Sequence, residues 1–519
     1  MTNQTCHPLL LERLAAWCGA KLKEYRLPAL AGMVFGILAY MFAFTNKLVN
    51  HDDVFTLFFK GGSYSLGRWG LEILELIFPN YSMPWIYGII TIALFTVSSC
   101  VILHIFSIRS KLLQVLLTGS ILTFPSLIGT FTYMFTSSSY AVSFLLAVVA
   151  VLWVQKQDKK WILPALVCMI GSLSIYQSYV AVAASLLVLI LIQRLMQGDD
   201  VAEVVKSGIF DLLFLIVSLG LYYAATMVIN RLRGSGFNSY ANGNLSFSFA
   251  AIPANIVLAY QSFVRFFTEG FRGLIPTAFS RAVHYILLAV MALLLVLWLV
   301  SQKKLRVSHI VWILLLLGVL PLAINCMYLF TTEDSVHTLV LYGFVALYVL
   351  AAVLADACIP MVSGTKGREL CQQITLNVLG FALAAIVICN TYIANESYLL
   401  LHLRYENAYS FYTSLVADIK MTPGFDENTK LAVIGTYQEP AYYLEQFPFS
   451  DHLTGTDGFL PDIYSKDRFV EYYLGFPIPF ASDEEIAEIA ASDEYAEMAV
   501  YPYYGSLKLI GDTLVVKLS

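Results

Sequence analysis

Leu27-Pro-Ala-Leu-Ala-Gly-Met-Val-Phe-Gly-Ile-Leu-Ala-Tyr-Met-Phe-Ala-Phe44 contains no charged residue. A run of this length spans the roughly 30 Å hydrocarbon core of a bilayer as a helix, which satisfies its backbone polar groups internally. With its flanks it gives a first span near 27–46. Ten further apolar stretches follow, near 85–107, 112–130, 135–154, 161–175, 179–195, 209–229, 283–301, 309–326, 338–355 and 375–393. The composition agrees: the 519 residues are 58% hydrophobic and 13% charged, with mean hydropathy +0.71. A soluble domain carries about 25% charged residues. The expected fold class is an all-α polytopic membrane protein of about 11 transmembrane helices.

The connections between spans alternate in charge. Lys21, Lys23, Arg26; Arg109, Lys111; Lys156, Lys159, Lys160; Arg194, Lys206; Lys303, Lys304, Arg306; and Lys366, Arg368 fall in every second one. The positive-inside rule then puts the N-terminus in the cytoplasm, and an odd number of spans puts the C-terminus outside. Residues 1–26 lack a signal-peptide core. Leu9, Leu10, Leu14 and Trp17 recur at helical spacing, as in an amphipathic helix on the cytoplasmic surface. From Ala394 onward, seven Lys and Arg stand against twenty Asp and Glu, a net of −13 that leaves +8 for the rest of a chain totalling −5. That tail holds strand-like runs at Leu431–Gly435 and Leu514–Leu518, a capping box at Ser482-Asp-Glu-Glu485 and a turn at Gly511-Asp512. The domain organisation expected is a cytoplasmic segment 1–26, a membrane domain 27–393 with long outer connections 47–84 and 230–282, and a small acidic extracytoplasmic α/β domain 394–519.

None of the eight cysteines falls in the large outer connections or the tail, which suits a bacterial plasma membrane. No Cys/His spacing suggests a metal site, and no P-loop, dinucleotide fingerprint or internal repeat is present. ATP-driven transport is therefore not expected, and no nucleic-acid partner is expected. An ion-coupled transporter of lipid or polysaccharide is a rival class, but the span interiors are almost free of charge, Asp211 near the inner surface being the exception.

The chemistry-bearing residues lie in the outer connections. His51-Asp52-Asp53 places two adjacent carboxylates at the membrane edge, where charge is costly to keep. Further on, Leu66, Trp69, Ile73, Leu74 and Ile77 share one helical face while Arg68, Glu72 and Glu75 share the other. This predicts an interfacial helix with Arg68 at phosphate height, or a helix packed on its neighbours with Arg68 paired to Glu72. The second connection carries Arg231, Arg233, Arg265, Arg272 and Arg281, against the positive-inside bias. Guanidinium groups suit phosphate, although Arg265 also has the spacing to pair with Glu269. Gly234 to Asn244 is a polar stretch that serves either as a mobile substrate loop or as a passive connector. Tyr176-Gln177 sits between two spans, suited to sugar hydroxyls or to a broken helix. Glu333, Asp334 and His337 form a short cluster without regular spacing to a partner.

This order of features resembles the bacterial membrane glucosyltransferase-domain family, similar to the serotype-converting O-antigen glucosyltransferases within the GT-C superfamily. The resemblance covers roughly residues 27–400 and rests on His51-Asp52-Asp53, Gly67-Arg68-Trp69 and Tyr176-Gln177. It implies a GT-C-like membrane domain and inverting transfer of glucose from a polyprenyl-phosphate carrier to a glycan such as O-antigen at the outer face. Another sugar on the same carrier is the near alternative. Asp52 or Asp53 would accept the proton of the attacking hydroxyl. His51, Arg68, Trp69, Tyr176, Gln177, Arg231, Arg233 and Arg265 are the candidate substrate-binding residues. Whether a divalent cation, Mg or Mn, assists is open, because only some of that group use one. A donor synthase and a flippase are candidate partners, alongside the lipid donor, the glycan acceptor and membrane lipid.

Overall fold

A backbone in hydrocarbon has no water to bond, so each apolar stretch closes its own hydrogen bonds as a helix. The computed structural model describes residues 23–58, 63–234, 236, 249–302, 306–331, 333–359, 366–426, 428–448, 453–456, 458, 460–462 and 464–519, with Glu12 and Gly19. The helix expected over Leu9–Trp17 and most of the 234–244 stretch lie outside them. The bundle opens with α1 (Arg26–Thr45), followed by the short α2 (His51–Thr56) and α3 (Trp69–Leu74). It continues with α4 (Pro84–Ile105), α5 (Lys111–Leu122), α6 (Pro125–Thr132), α7 (Met134–Val154), α8 (Lys159–Ile175) and α9 (Val180–Gln197). Then come α10 (Val201–Leu232), α11 (Ile252–Thr268), α12 (Ala278–Ser301), α13 (Val307–Ile324), α14 (Val345–Cys358) and α15 (Lys366–Met421).

All eleven expected stretches are helical, but the number of spans is slightly lower. Among the described residues nine helices are long and apolar enough to cross a membrane, or ten if α5 and α6 form one span bent by 49°. The bend falls where Pro125 takes the first position of α6, since proline cannot continue the hydrogen-bond ladder of α5. The eleventh stretch, α8, has 17 residues and carries Pro164 inside it.

Close helix contact is made by small residues. A Cβ on Gly32 would stand 2.5 Å from Thr96 Oγ1, and one on Gly36 2.6 Å from Ile92 Cγ2, so α1 and α4 meet along a four-residue glycine spacing. The span Thr338–Cys358 is wholly buried, whereas only 22% of the α10 span is, and α10 turns Ile209, Leu212, Leu213 and Ile216 outward.

The 56-residue α15 runs straight through the expected domain boundary at 393/394. Its far end carries the tail unit. There β1 (Lys430–Ile434) precedes α16 (Ala441–Gln446), α17 (Lys466–Leu474), α18 (Asp483–Ala490) and α19 (Asp493–Ala496), and β2 (Leu507–Ile510) and β3 (Thr513–Lys517) close the chain. The sheet order is β1-β3-β2, parallel between β1 and β3 and antiparallel between β2 and β3. The β2–β3 turn uses Gly511 at φ 64, and Ser482 and Glu485 make the reciprocal cap of α18. Leu431, Val433, Leu514 and Val516 of the sheet pack on Phe411, Tyr412, Leu415 and Ile419 of α15. Val49 and Val54 join the same core, so the segment bearing the Asp pair is anchored in the tail.

Candidate functional site

The first connection holds its carboxylates on α2. Asn50 caps this helix: its side chain accepts the Asp53 N–H at 2.9 Å and donates to the Thr132 carbonyl at 2.8 Å. The anions sit in the first turn, where the helix terminus favours negative charge. Their surroundings differ. Asp53 is 5% exposed, accepts the Ser82 hydroxyl at Oδ1, and its Oδ2 has no hydrogen-bond partner among the described residues. Burial, opposed by the Ser82 and Asn50 bonds, pushes its carboxyl up to about 7. Lys47 lies nearby with its Nζ 4.3 Å from the Tyr473 ring, its ammonium lowered by burial and supported by the charge of Asp53. Asp52 is half-exposed and accepts the Tyr464 hydroxyl, with His51 Nε2 4.0 Å away. The His51 ring stands edge-on to Tyr133 at 6.3 Å and to Tyr464 at 5.5 Å.

Gly67-Arg68-Trp69 and Tyr176-Gln177 come together. Between α8 and α9 the chain leaves the helix at Tyr176, and Gln177 Nε2 donates to the Leu66 carbonyl at 3.1 Å and to Tyr222 Oη at 2.8 Å. Tyr222 in turn donates to the Gly67 carbonyl at 3.0 Å. Gly67 adopts φ 76, and a Cβ there would fall 2.5 Å from Tyr222 Oη, so glycine is required on both counts. Trp69 Nε1 donates to Thr226 Oγ1 at 3.2 Å. The Arg68 guanidinium lies 5.1 Å over the Tyr176 ring and donates to Tyr140 Oη at 3.3 Å, while Tyr140 and Tyr176 stack at 4.3 Å. Of the helix expected from Leu66 to Ile77, α3 covers Trp69–Leu74; it buries Gly70 and Leu71 rather than the expected apolar face, and Ile73 and Ile77 are exposed.

The arginines of the second connection divide. Arg233 pairs with Glu72 at 3.2 Å and covers the Tyr64 ring, and Arg265 pairs with Glu269 at 2.9 Å and Glu333 at 3.1 Å. Arg231 is exposed near the end of α10. Arg272 sits at φ 55, with its carbonyl accepting the Thr338 hydroxyl at 3.3 Å. His337 is the meeting point: burial first, then the charges of Arg68 and Arg272, hold its imidazole down to about 4 and therefore neutral. Both guanidiniums act electrostatically on this one imidazole, from connections far apart in sequence.

A line of hydrogen bonds joins this cationic region to α2. Thr132, whose carbonyl accepts Asn50, donates its hydroxyl to the Thr454 carbonyl at 3.1 Å. Thr454 exchanges bonds with Thr338 at 3.0 and 3.3 Å and meets His337 Nδ1 at 3.3 Å. Arg272 is one of the five outer arginines read from the sequence, whereas Ser82, Lys47, Thr454 and Tyr464 carry no local motif that would have singled them out. Among the described residues no three His, Cys, Asp or Glu side chains converge, so a divalent ion held at the Asp pair would draw ligands from a bound phosphate.

Beside the Tyr176–Tyr179 break a groove of about 660 Å³ follows α9, α10 and α13. It extends from Leu195 and Val201 to Ile252 and Phe330, and Asp211 is the one charged side chain among the described residues lining it. The site end of the bundle therefore combines a proton acceptor, two cations suited to an anion, and an apolar channel.

A comparison with protein-family models matches residues 41–350, more than half of the chain, to the family described as Glucosyl transferase GtrII. A search of the curated proteins finds no match. The matched segment contains α2, the Gly67–Trp69 segment, Tyr176-Gln177 and Arg272, and it ends before the tail.

Proposed function

Because the chain belongs to the glucosyl transferase GtrII family, we propose that it transfers glucose from a polyprenyl-phosphate carrier to an envelope glycan such as O-antigen, at the outer face of the membrane. Membership carries glucosyl transfer in membrane glycan modification. The carrier, acceptor and side are our reading, and the apolar groove that ends beside the Arg68 region carries it. A polyprenyl chain is a long, flexible hydrocarbon whose phosphate must stay near water. A groove nearly devoid of polar groups, one end of which, at Val180 and Leu219, lies within a turn of Tyr179 and of the Tyr222 that bonds Gly67, meets both demands.

In this reading the acceptor hydroxyl oxygen attacks C1 of glucose as the bond from C1 to the phosphate oxygen breaks. The hydroxyl proton passes to Asp52, and polyprenyl phosphate leaves with the bonding electron pair. One displacement inverts the anomeric centre. Asp52 is the base because it is accessible and already accepts a hydroxyl hydrogen bond. Asp53, buried on Ser82, fixes α2. Arg68 and Arg272 stabilise charge on the departing phosphate. The basic residues at the opposite end of the bundle support a cytoplasmic placement there and an outer placement of the site.

Reconstituted protein supplied with radiolabelled glucosyl polyprenyl phosphate should label the glycan. No label from that donor, with label from a nucleotide sugar, would overturn the reading. A Tyr504→Cys variant, at a fully exposed tail position, should react with an impermeant thiol reagent from outside the cell.

A further inference from the structure

Resting on that reading, we propose that Tyr464 is an acceptor-binding residue: its hydroxyl occupies on Asp52 the place that the acceptor hydroxyl takes, and its ring packs on the acceptor sugar. The residue lies in the tail, beyond the segment 41–350 matched to the family. It nevertheless reaches the first turn of α2, where its phenol donates to Asp52 Oδ1. Both the phenol and a sugar are neutral O–H donors to a carboxylate, so one replaces the other without moving charge. An acceptor hydroxyl that uses Asp52 Oδ1 along the same direction must first displace the phenol.

The ring is placed for the second role. Tyr464 is 59% exposed, edge-on to Phe55 at 5.7 Å as well as to His51. Phe58, 71% exposed, continues the aromatic surface against Tyr472 of α17 at 4.8 Å. Aromatic rings offer a sugar's C–H face an apolar surface at small entropic cost while the hydroxyls remain free to bond. Burial, together with the charge of Asp52, raises the phenol further above its ordinary range, so it stays a donor at neutral pH. The reacting carboxylate comes from the family-matched segment and its aromatic cover from the tail, which assigns acceptor choice to the tail.

The test uses full-length protein in proteoliposomes with radiolabelled glucosyl polyprenyl phosphate. The acceptor is envelope polysaccharide extracted from cells in which this gene is deleted. Tyr464→Ala should raise the acceptor KM about tenfold, the order of one lost stacking contact, and leave the donor KM within twofold. Tyr464→Phe keeps the ring and removes the competing hydroxyl, so its acceptor KM should equal or fall below that of the wild type. An unchanged acceptor KM in Tyr464→Ala, or equal rises in both constants, would overturn the proposal and make Tyr464 a tether of the tail. A wild type that transfers no glucose to the polysaccharide would instead overturn the reading on which it rests.

Discussion

The two long connections at the site end follow opposite plans. In the first, Asp53 is met by a serine hydroxyl and Arg68 by tyrosines. It is tied across the bundle through the Asn50 and Trp69 side chains and the Gly67 carbonyl. In the second, Arg233 and Arg265 are met by the carboxylates of Glu72, Glu269 and Glu333. A charge answered by an opposite charge is largely cancelled in place. Charge count alone would make the second connection the phosphate site. The carboxylate partners of Arg233 and Arg265 weaken their claim to that role.

The largest expected effect tests whether the first connection does the chemistry. Asp52→Asn should lower turnover by about 10²- to 10⁴-fold, the usual worth of a positioned base, with folded protein retained. Full turnover in that variant would erase the contrast between the connections. Next in size, Arg68→Lys and Arg272→Ala should each raise the donor KM by about tenfold, and Arg68→Ala by more, since lysine keeps the charge but loses the fork. Arg233→Ala should leave the donor KM within about twofold if its partner is Glu72 rather than phosphate. A pure loss of kcat in the Arg68 variants would place that guanidinium on the phosphate only in the transition state.

Asp53 sharpens the comparison through pH. Its carboxyl is raised to about 7 in the folded protein, above an ordinary value of about 3.9. The native state therefore holds the proton that the unfolded chain has released, and stability contributed by this group falls as pH rises from about 4 to about 7. Asp53→Asn removes the dependence, so its melting temperature in detergent should gain on the wild type across that interval. A constant difference would mean that Asp53 is charged in the native protein. The smallest effect belongs to the paired arginine: Arg265→Ala should cost about 0–1 kcal/mol in a detergent melt, because its ion pairs are solvent-exposed.

Much of the bundle was legible because hydrocarbon imposes a one-dimensional signal, and every apolar run became a helix. The break at Pro125 was missed because hydropathy is continuous across it. The extent of α15 was missed for the opposite reason: Glu396, Arg404 and Glu406 end the hydropathy signal while the helix persists. Its continuation was written in the 3- and 4-residue spacing of Tyr398, Leu401, Tyr405, Ala408, Tyr412, Leu415 and Ile419. At the site, the acidic pair, Gly67-Arg68-Trp69 and Tyr176-Gln177 were readable as short motifs. Tyr464 was not, since a contact across 412 residues leaves no local spacing.

A helix of 56 residues rises about 84 Å at 1.5 Å per residue, nearly three times the thickness of the hydrocarbon it crosses. Arg404, on its protruding half, forks onto Glu439 at 2.5 and 2.7 Å and reaches the Thr456 carbonyl. The segment bearing Thr454 is therefore fastened to the shaft of a lever whose fulcrum is the lipid. In a thicker or thinner bilayer a spanning helix adjusts its tilt, and this one, which shares a core with Val49 and Val54, would carry α2 and the tail together. Transfer is therefore expected to depend on acyl-chain length in otherwise identical vesicles.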